Sequence, residues 1–266
     1  ERLIINSSYP FKKKYTELVA IPTTAGSGAE TTSSAVIYID KIKYSLESEI
    51  IKPNYFFLIP KLAINASKKI KSSSGFDSIA QAVESLISKK SNSQSIKFAK
   101  KSLNISLKYY LDYLRKPNFE NTSAMCFAAN LAGKAINISR TTAPHAVSYP
   151  FTSLYNISHG HAVSLTLEKF LKFNFINCKK ASCNFDLNLR YKSIFNIFGV
   201  KNIIELENFF IEMKKKAKLE SNFEKLKINL NLNIDKLISG INLQRLQNNP
   251  INLNKKDIKT ILLKSN

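Results

Sequence analysis

The chain has 266 residues, 44% of them hydrophobic, enough to bury one large core or two small ones. Its longest apolar runs, such as Tyr55–Pro60, are far too short to cross a bilayer, and no secretory signal opens the sequence, so no membrane partner is expected. The net charge of +21 raises the question of nucleic acid, yet the lysines spread over nearly every segment and no basic run interleaves with aromatics. Scattered solvation is the reading, with Lys214–Lys216 as one solvated helix stretch, and no nucleic-acid partner is expected. A positive field can still draw an anionic substrate into a cleft. Cys126, Cys178 and Cys183 form no metal-ligand or redox pattern, which fits free thiols in a reducing compartment and a cytoplasmic location.

In chain order, Leu18–Pro22 reads as a short buried strand that stops at Pro22. The loop Thr23–Gly28 (TTAGSG) follows, then β-prone runs at Ala35–Ile39 and Tyr55–Ile59. Beyond Pro60 the apolar spacing becomes three and four. It predicts helices over Asp77–Ser88, Ile96–Leu114, Ala124–Ile138, Ala162–Phe173, Ile203–Ala217, Ile234–Ile238 and Asp257–Leu263, the last with Asn254 as its cap. The expectation is therefore an α/β portion over residues 1–60 and an all-α portion over 61–266.

Three constellations carry chemistry. TTAGSG can present amides and hydroxyls to a phosphate or ribose, although the same residue types build ordinary surface turns. In GFDSIAQAVES, Asp77 and Gln81 lie one helical turn apart on one face among small and apolar neighbours, where a carboxylate needs a cation. The alternative is an aspartate near a helix N-terminus, stabilised by the dipole. Finally, all three histidines of the chain, His145, His159 and His161, fall in one short window, TTAPHAVSYP followed by SHGHA. Neutral imidazoles with a carboxylate suit Zn²⁺ or Fe²⁺.

IPTTAGSGAE, KYSL at Lys43–Leu46, GFDSIAQAVES and the PHAVSYP…SHGHAV block occur in the order found in iron-containing (group III) alcohol dehydrogenases, which the chain resembles from about Leu18 to its end. The resemblance implies a Rossmann-like dinucleotide-binding domain followed by a helical metal-binding domain, with the active site between them. It implies a divalent metal held by Asp77, Gln81, His145 and His159. NAD or NADP would be touched by Thr23, Thr24, Ser27 and Lys43. Hydride would pass between the nicotinamide and a small aldehyde or primary alcohol, with Tyr149 or His161 relaying the proton; packing or capping is the other role open to His161.

Three departures stand out. Gln81 replaces a histidine ligand, Tyr149 replaces a histidine near the nicotinamide, and nothing in residues 1–22 resembles the family's glycine-rich diphosphate turn. The last implies an N-terminally truncated fragment, a remnant of the cofactor domain that is inactive alone. Gln81 together with TTAPHAVSYP and HGHAV is similar to the branch containing phosphonoacetaldehyde reductase-like proteins, which implies an anionic substrate. A homodimer is among the expectations. Two other classes stay open: a non-redox NAD- and metal-binding relative of the dehydroquinate synthase type, and a basic binding protein without catalysis.

Overall fold

The computed structural model describes residues 13–39, 42–241 and 243–263. β1 (Val19–Ala20) and β4 (Tyr55–Phe56) pair in parallel, Val19 opposite Tyr55. β2 (Ser34–Ile39) and β3 (Ile42–Glu47) form an antiparallel hairpin, with Ser34 opposite Glu47 and Ile39 opposite Ile42. Each predicted strand run holds a strand. Two are cut short: Pro22 offers no ladder donor, and Pro60 opens a helix. The β3 strand was not among the expectations, because its lysine, serine and glutamate obscure the alternating Ile42, Tyr44 and Leu46.

All described residues from Pro60 onward that are regular are helical. The helices are α1 (Pro60–Ile64), α2 (Lys68–Ile87), α3 (Ser93–Arg115), α4 (Phe119–Ser139), α5 (Ala143–Tyr155) and α6 (His159–Ser164), then α7 (Leu167–Ile176), α8 (Leu187–Phe198), α9 (Ile203–Ala217), α10 (Leu230–Ser239), α11 (Leu243–Leu246) and α12 (Lys255–Leu263). The mixed α/β and all-α architecture matches the sequence expectation. Asn92 and Asn118 each close a reciprocal capping box, and Asn254 and Asp257 exchange the same pair of bonds at α12, as expected. The helix expected over Ala162–Phe173 is two helices with a break at Leu165–Thr166. Periodicity missed that break because both halves keep feeding apolar residues inward. It also missed α5, where Pro144 and Pro150 read as breakers; Pro144 sits in the first turn, where no N–H is needed.

Helix α2 is the axis of the molecule, buried along nearly its whole length and capped by Ser67, whose hydroxyl accepts from Ile70 N–H. The described residues form two apolar cores. One packs α2 with α3, α4, α8 and α9; the other gathers α5, α10 and α12 with Phe170. Lys214 departs from the solvated-stretch expectation. It is buried at 2% exposure, with its ammonium 2.6 Å from the Glu168 carboxylate and donating to the Ser164 carbonyl. The apolar period of α9 forces that position inward, and the buried charge is compensated there. Among the described residues, no helix is long and apolar enough to cross a membrane.

The strand-bearing segment sits on α4. Gly28 adopts φ +60°, and a Cβ on Gly133 would come within 2.4 Å of the Gly28 carbonyl, so both residues at this crossing must lack a side chain. Around the crossing, Asn130 donates to the buried Glu30 at 2.9 Å, and Ser33 N–H donates to Asn137 at 2.8 Å. The TTAGSGAE motif is thus a packed joint at its glycine end, while Thr23, Thr24 and Ser27 remain exposed.

Candidate metal centre

Asp77 projects from α2, His145 from the first turn of α5 and His159 from the first residue of α6. Donor atoms of the three lie within 4.8 Å of one another. His145 Nε2 is 3.2 Å and His159 Nε2 3.9 Å from the same oxygen, Asp77 Oδ1. Tetrahedral ligands about 2.1 Å from a metal stand roughly 3.4 Å apart, so the spacing fits a divalent cation. Close helix packing makes this convergence. A Cβ on Gly160 would fall 2.0 Å from the Ser73 carbonyl and 2.8 Å from Asp77 Cβ, so only glycine lets α6 approach α2.

Gln81, one turn after Asp77, is buried and lines the same cavity. Its amide nitrogen donates to Asp77 Oδ2 at 3.1 Å, while its carbonyl oxygen is buried with no hydrogen-bond partner. An unpaired buried carbonyl costs free energy, which a bound cation would offset.

Each imidazole is held from behind. His145 Nδ1–H donates to Glu84 Oε1 at 2.5 Å, which in the neutral ring leaves the lone pair of Nε2, 3.2 Å from Asp77 Oδ1, free of a proton and able to ligate a cation. Glu84 is fully buried, and its second oxygen accepts from the Thr142 N–H at 2.6 Å and hydroxyl at 2.8 Å. Burial opposes charge on His145, but Glu84 and Asp77 outweigh it and push the imidazole up to about 9. The Nδ1 of His159 is 3.5 Å from the Ser148 hydroxyl, and its ring stacks on Tyr149 with centroids 6.0 Å apart. Sequence reasoning passed over Glu84, although it stands seven residues after Asp77, two turns along the same helix face.

The cavity holds about 440 Å³ and opens between α2, α5, α6 and the β2–β3 hairpin. Asp77, Gln81, His145, His159 and Tyr149 all line it, as does Ser27 of the loop; Thr23 and Thr24 do not. Lys43 lies in β3, and its side chain is outside the described residues. His161 is not brought to the cavity: its Nε2 hydrogen-bonds the Glu220 carbonyl at 2.7 Å on the other side of α6, and burial pushes its imidazole below the usual histidine value. Two arginines that the sequence did not single out, Arg140 and Arg245, complete the wall.

Residues 71–266 match the sequence model of the Fe-containing alcohol dehydrogenase family, C-terminal, and residues 2–60 match that of iron-containing alcohol dehydrogenase. A phosphonoacetaldehyde reductase from Streptomyces viridochromogenes is 32% identical over 161 residues, covering 59% of this chain and 40% of that protein. A 1-propanol dehydrogenase from Salmonella typhimurium is 31% identical over 159 residues, covering 59% of this chain and 43% of its own length. The solved sulfoacetaldehyde reductase from Bifidobacterium kashiwanohense, in complex with NAD+, superposes with a TM-score of 0.83 at 26% identity, over 94% of this chain and 65% of that one. The matched region thus spans about two fifths of these curated relatives and about two thirds of the solved structure. On the family models, the fold and the order of the motifs, this chain belongs to the iron-containing alcohol dehydrogenase family.

Proposed function

We propose that the chain provides the metal site and the adjoining cofactor edge of an NAD(P)-linked oxidoreductase that interconverts a small aldehyde and its primary alcohol. The observation that carries this reading is the convergence of Asp77, His145 and His159 in one cavity, beside a Gln81 carbonyl that has no other partner. Asp77, Gln81, His145 and His159 would hold Fe²⁺ or Zn²⁺. Bound there, the cation supplies Lewis acidity toward a carbonyl oxygen, and NAD or NADP supplies or accepts the hydride. Glu84 fixes the tautomer of His145, and Ser148 orients His159. Tyr149, on the wall beside His159, is the proposed group that holds the proton exchanged with the substrate oxygen. In this reading His161 packs rather than relays, a role supported by its Nε2 contact with the Glu220 carbonyl.

Residues 1–60 form the tail of the dinucleotide-binding domain in this reading, and 61–266 the helical catalytic domain. Thr23, Thr24, Ser27 and Lys43 would meet the cofactor. Relatives named for phosphonoacetaldehyde and sulfoacetaldehyde support an anionic aldehyde as substrate, as does a wall that carries two arginines. Assembly as a homodimer is part of the proposal.

Calorimetric titration of the metal-free chain with Zn²⁺ tests the core of it. A single site is expected, abolished by Asp77→Ala. Undiminished zinc uptake by the Asp77→Ala chain would remove the metal site from this cavity.

A further inference from the structure

Arg140, the residue that closes α4, has φ +62° and ψ 168°. That corner of backbone space belongs almost entirely to glycine, and a residue with a Cβ is strained there. The turn is pinned before and after this residue. Arg140 N–H donates to the Ile136 carbonyl at 2.8 Å, and the Ser139 carbonyl accepts from the Ser88 hydroxyl at 2.5 Å. Downstream, the Thr141 carbonyl accepts from the Asn248 amide at 3.3 Å, and Thr142 gives its N–H and hydroxyl to the buried Glu84 carboxylate. The same turn starts α5 and so brings His145 round to Asp77. Glycine would make this turn without strain, yet the chain carries arginine.

The Arg140 side chain reaches Glu47, the last residue of β3, with Nη2 3.1 Å from the carboxylate. The two side chains are 21% and 42% exposed, and an ion pair in that setting adds less stability than such backbone strain removes. Stability is therefore not what the arginine supplies. Its contribution is position. Asn137, three residues earlier on the same face of α4, accepts from the N–H and hydroxyl of Ser33 at 2.8 and 3.0 Å. Ser33 leads into β2 and Glu47 ends β3, and Glu47 stands opposite Ser34 in the ladder. Two neighbouring points on one helix face thus grip both strands at the base of the hairpin. A single grip would act as a pivot; the pair fixes the angle of the hairpin to α4.

Ser34, Ala35, Val36 and Glu47 of that hairpin line the cavity that holds Asp77, His145 and His159. We propose that Arg140 is a positioning residue that sets the β2–β3 hairpin relative to the metal ligands, and that its backbone strain follows from aiming the guanidinium at Glu47. The inference rests on the metal-site and cofactor-edge reading above. Hydride transfer needs its two reacting partners at a fixed separation, and a wall displaced by about an ångström loses rate.

The test follows the hairpin by NMR with Co²⁺ in the site, because a site of imidazole and oxygen donors accepts this ion and the pseudocontact shift of each amide reports its place relative to it. Arg140→Gly and Glu47→Gln should each shrink the shifts of the Ser34–Ile39 amides and speed their hydrogen exchange up to about 5-fold, at wild-type cobalt affinity. Amides of α5 should keep their shifts. Arg140→Lys, which can still pair with Glu47, should restore most of both hairpin signals. Arg140→Gly should also melt about 2–4 °C above Arg140→Ala, because only glycine relaxes the turn. Hairpin shifts and exchange that stay unchanged in either Arg140→Gly or Glu47→Gln overturn the assignment, as does an Arg140→Ala chain that melts at or above Arg140→Gly. Glu47→Gln leaves the turn itself intact, so it decides the matter where the glycine variant folds poorly. A wild-type chain that takes up neither zinc nor cobalt defeats the metal-site reading and this inference with it. A cobalt-loaded chain whose hairpin ignores the substitutions defeats the inference alone.

Discussion

The helical region and the strand-bearing segment solve burial in opposite ways. Around α2 the large apolar side chains face inward: Phe76, Ile79, Tyr110, Tyr113 and Phe210 are essentially inaccessible, and the exposed ones, such as Ile176 and Leu232, are scattered. In the strand segment Leu18, Val19, Ile21, Tyr55, Phe56, Phe57 and Ile59 are all exposed, on or beside a parallel pair of only two residues per strand. Scattered apolar residues are ordinary on a surface, whereas a contiguous set beside an open strand edge is what a further sheet neighbour would cover. The difference teaches where the site gets its rigidity. All four proposed metal-holding residues stand on helices of the self-contained region, and the strand segment contributes only the rim of the cavity.

The largest expected effect comes from breaking the helical region at its tightest crossing. Gly160→Ala places a methyl against the Ser73 backbone and Asp77, and should destabilise the chain by about 3 kcal/mol in urea unfolding while weakening zinc uptake. A change below about 0.5 kcal/mol, the scale of a surface substitution, would mean that α6 is not held by α2 as described. Next comes Glu84→Gln, which keeps the shape but removes the charge behind His145. Zinc affinity should fall about 10- to 100-fold, since partners behind a metal-bound histidine contribute on that scale. Unaltered affinity would leave Glu84 a purely structural anchor for Thr142. The smallest effect sharpens the other side of the comparison. Leu18→Lys with Phe57→Glu should change unfolding stability by no more than about 0.5 kcal/mol and raise solubility, because both residues are exposed. A large loss of stability would show that the strand segment has a core of its own.

How much of this was legible varied with the kind of interaction. Local chemistry was. Asp77 and Gln81 share a helix face by their spacing, the Asn254–Asp257 cap follows from residue type, and the clustered histidines pointed to a cation before any coordinates did. The same local logic failed where a neighbour in space set the outcome. Lys214 looked solvated within its run of lysines, yet it lies on the inward face of α9, where Glu168, 46 positions away, compensates its buried charge. His161 sits two residues from His159 and was a candidate for chemistry, but a helical step of two points it to the far side of α6.

By itself, then, the sequence determined which residues are chemically able to hold a cation, and the α/β-then-helical order, because both depend on side-chain type and short-range period. Only the tertiary structure decided which of them meet. Glycine at 160 and the joint of Gly28 with Gly133 set distances of closest approach between elements far apart in the chain, and the pinned segment around Asn248 and Asn249 delivers Arg245 to the cavity wall. Those placements depend on packing across long loops, and no pattern within one segment encodes the partner against which it packs.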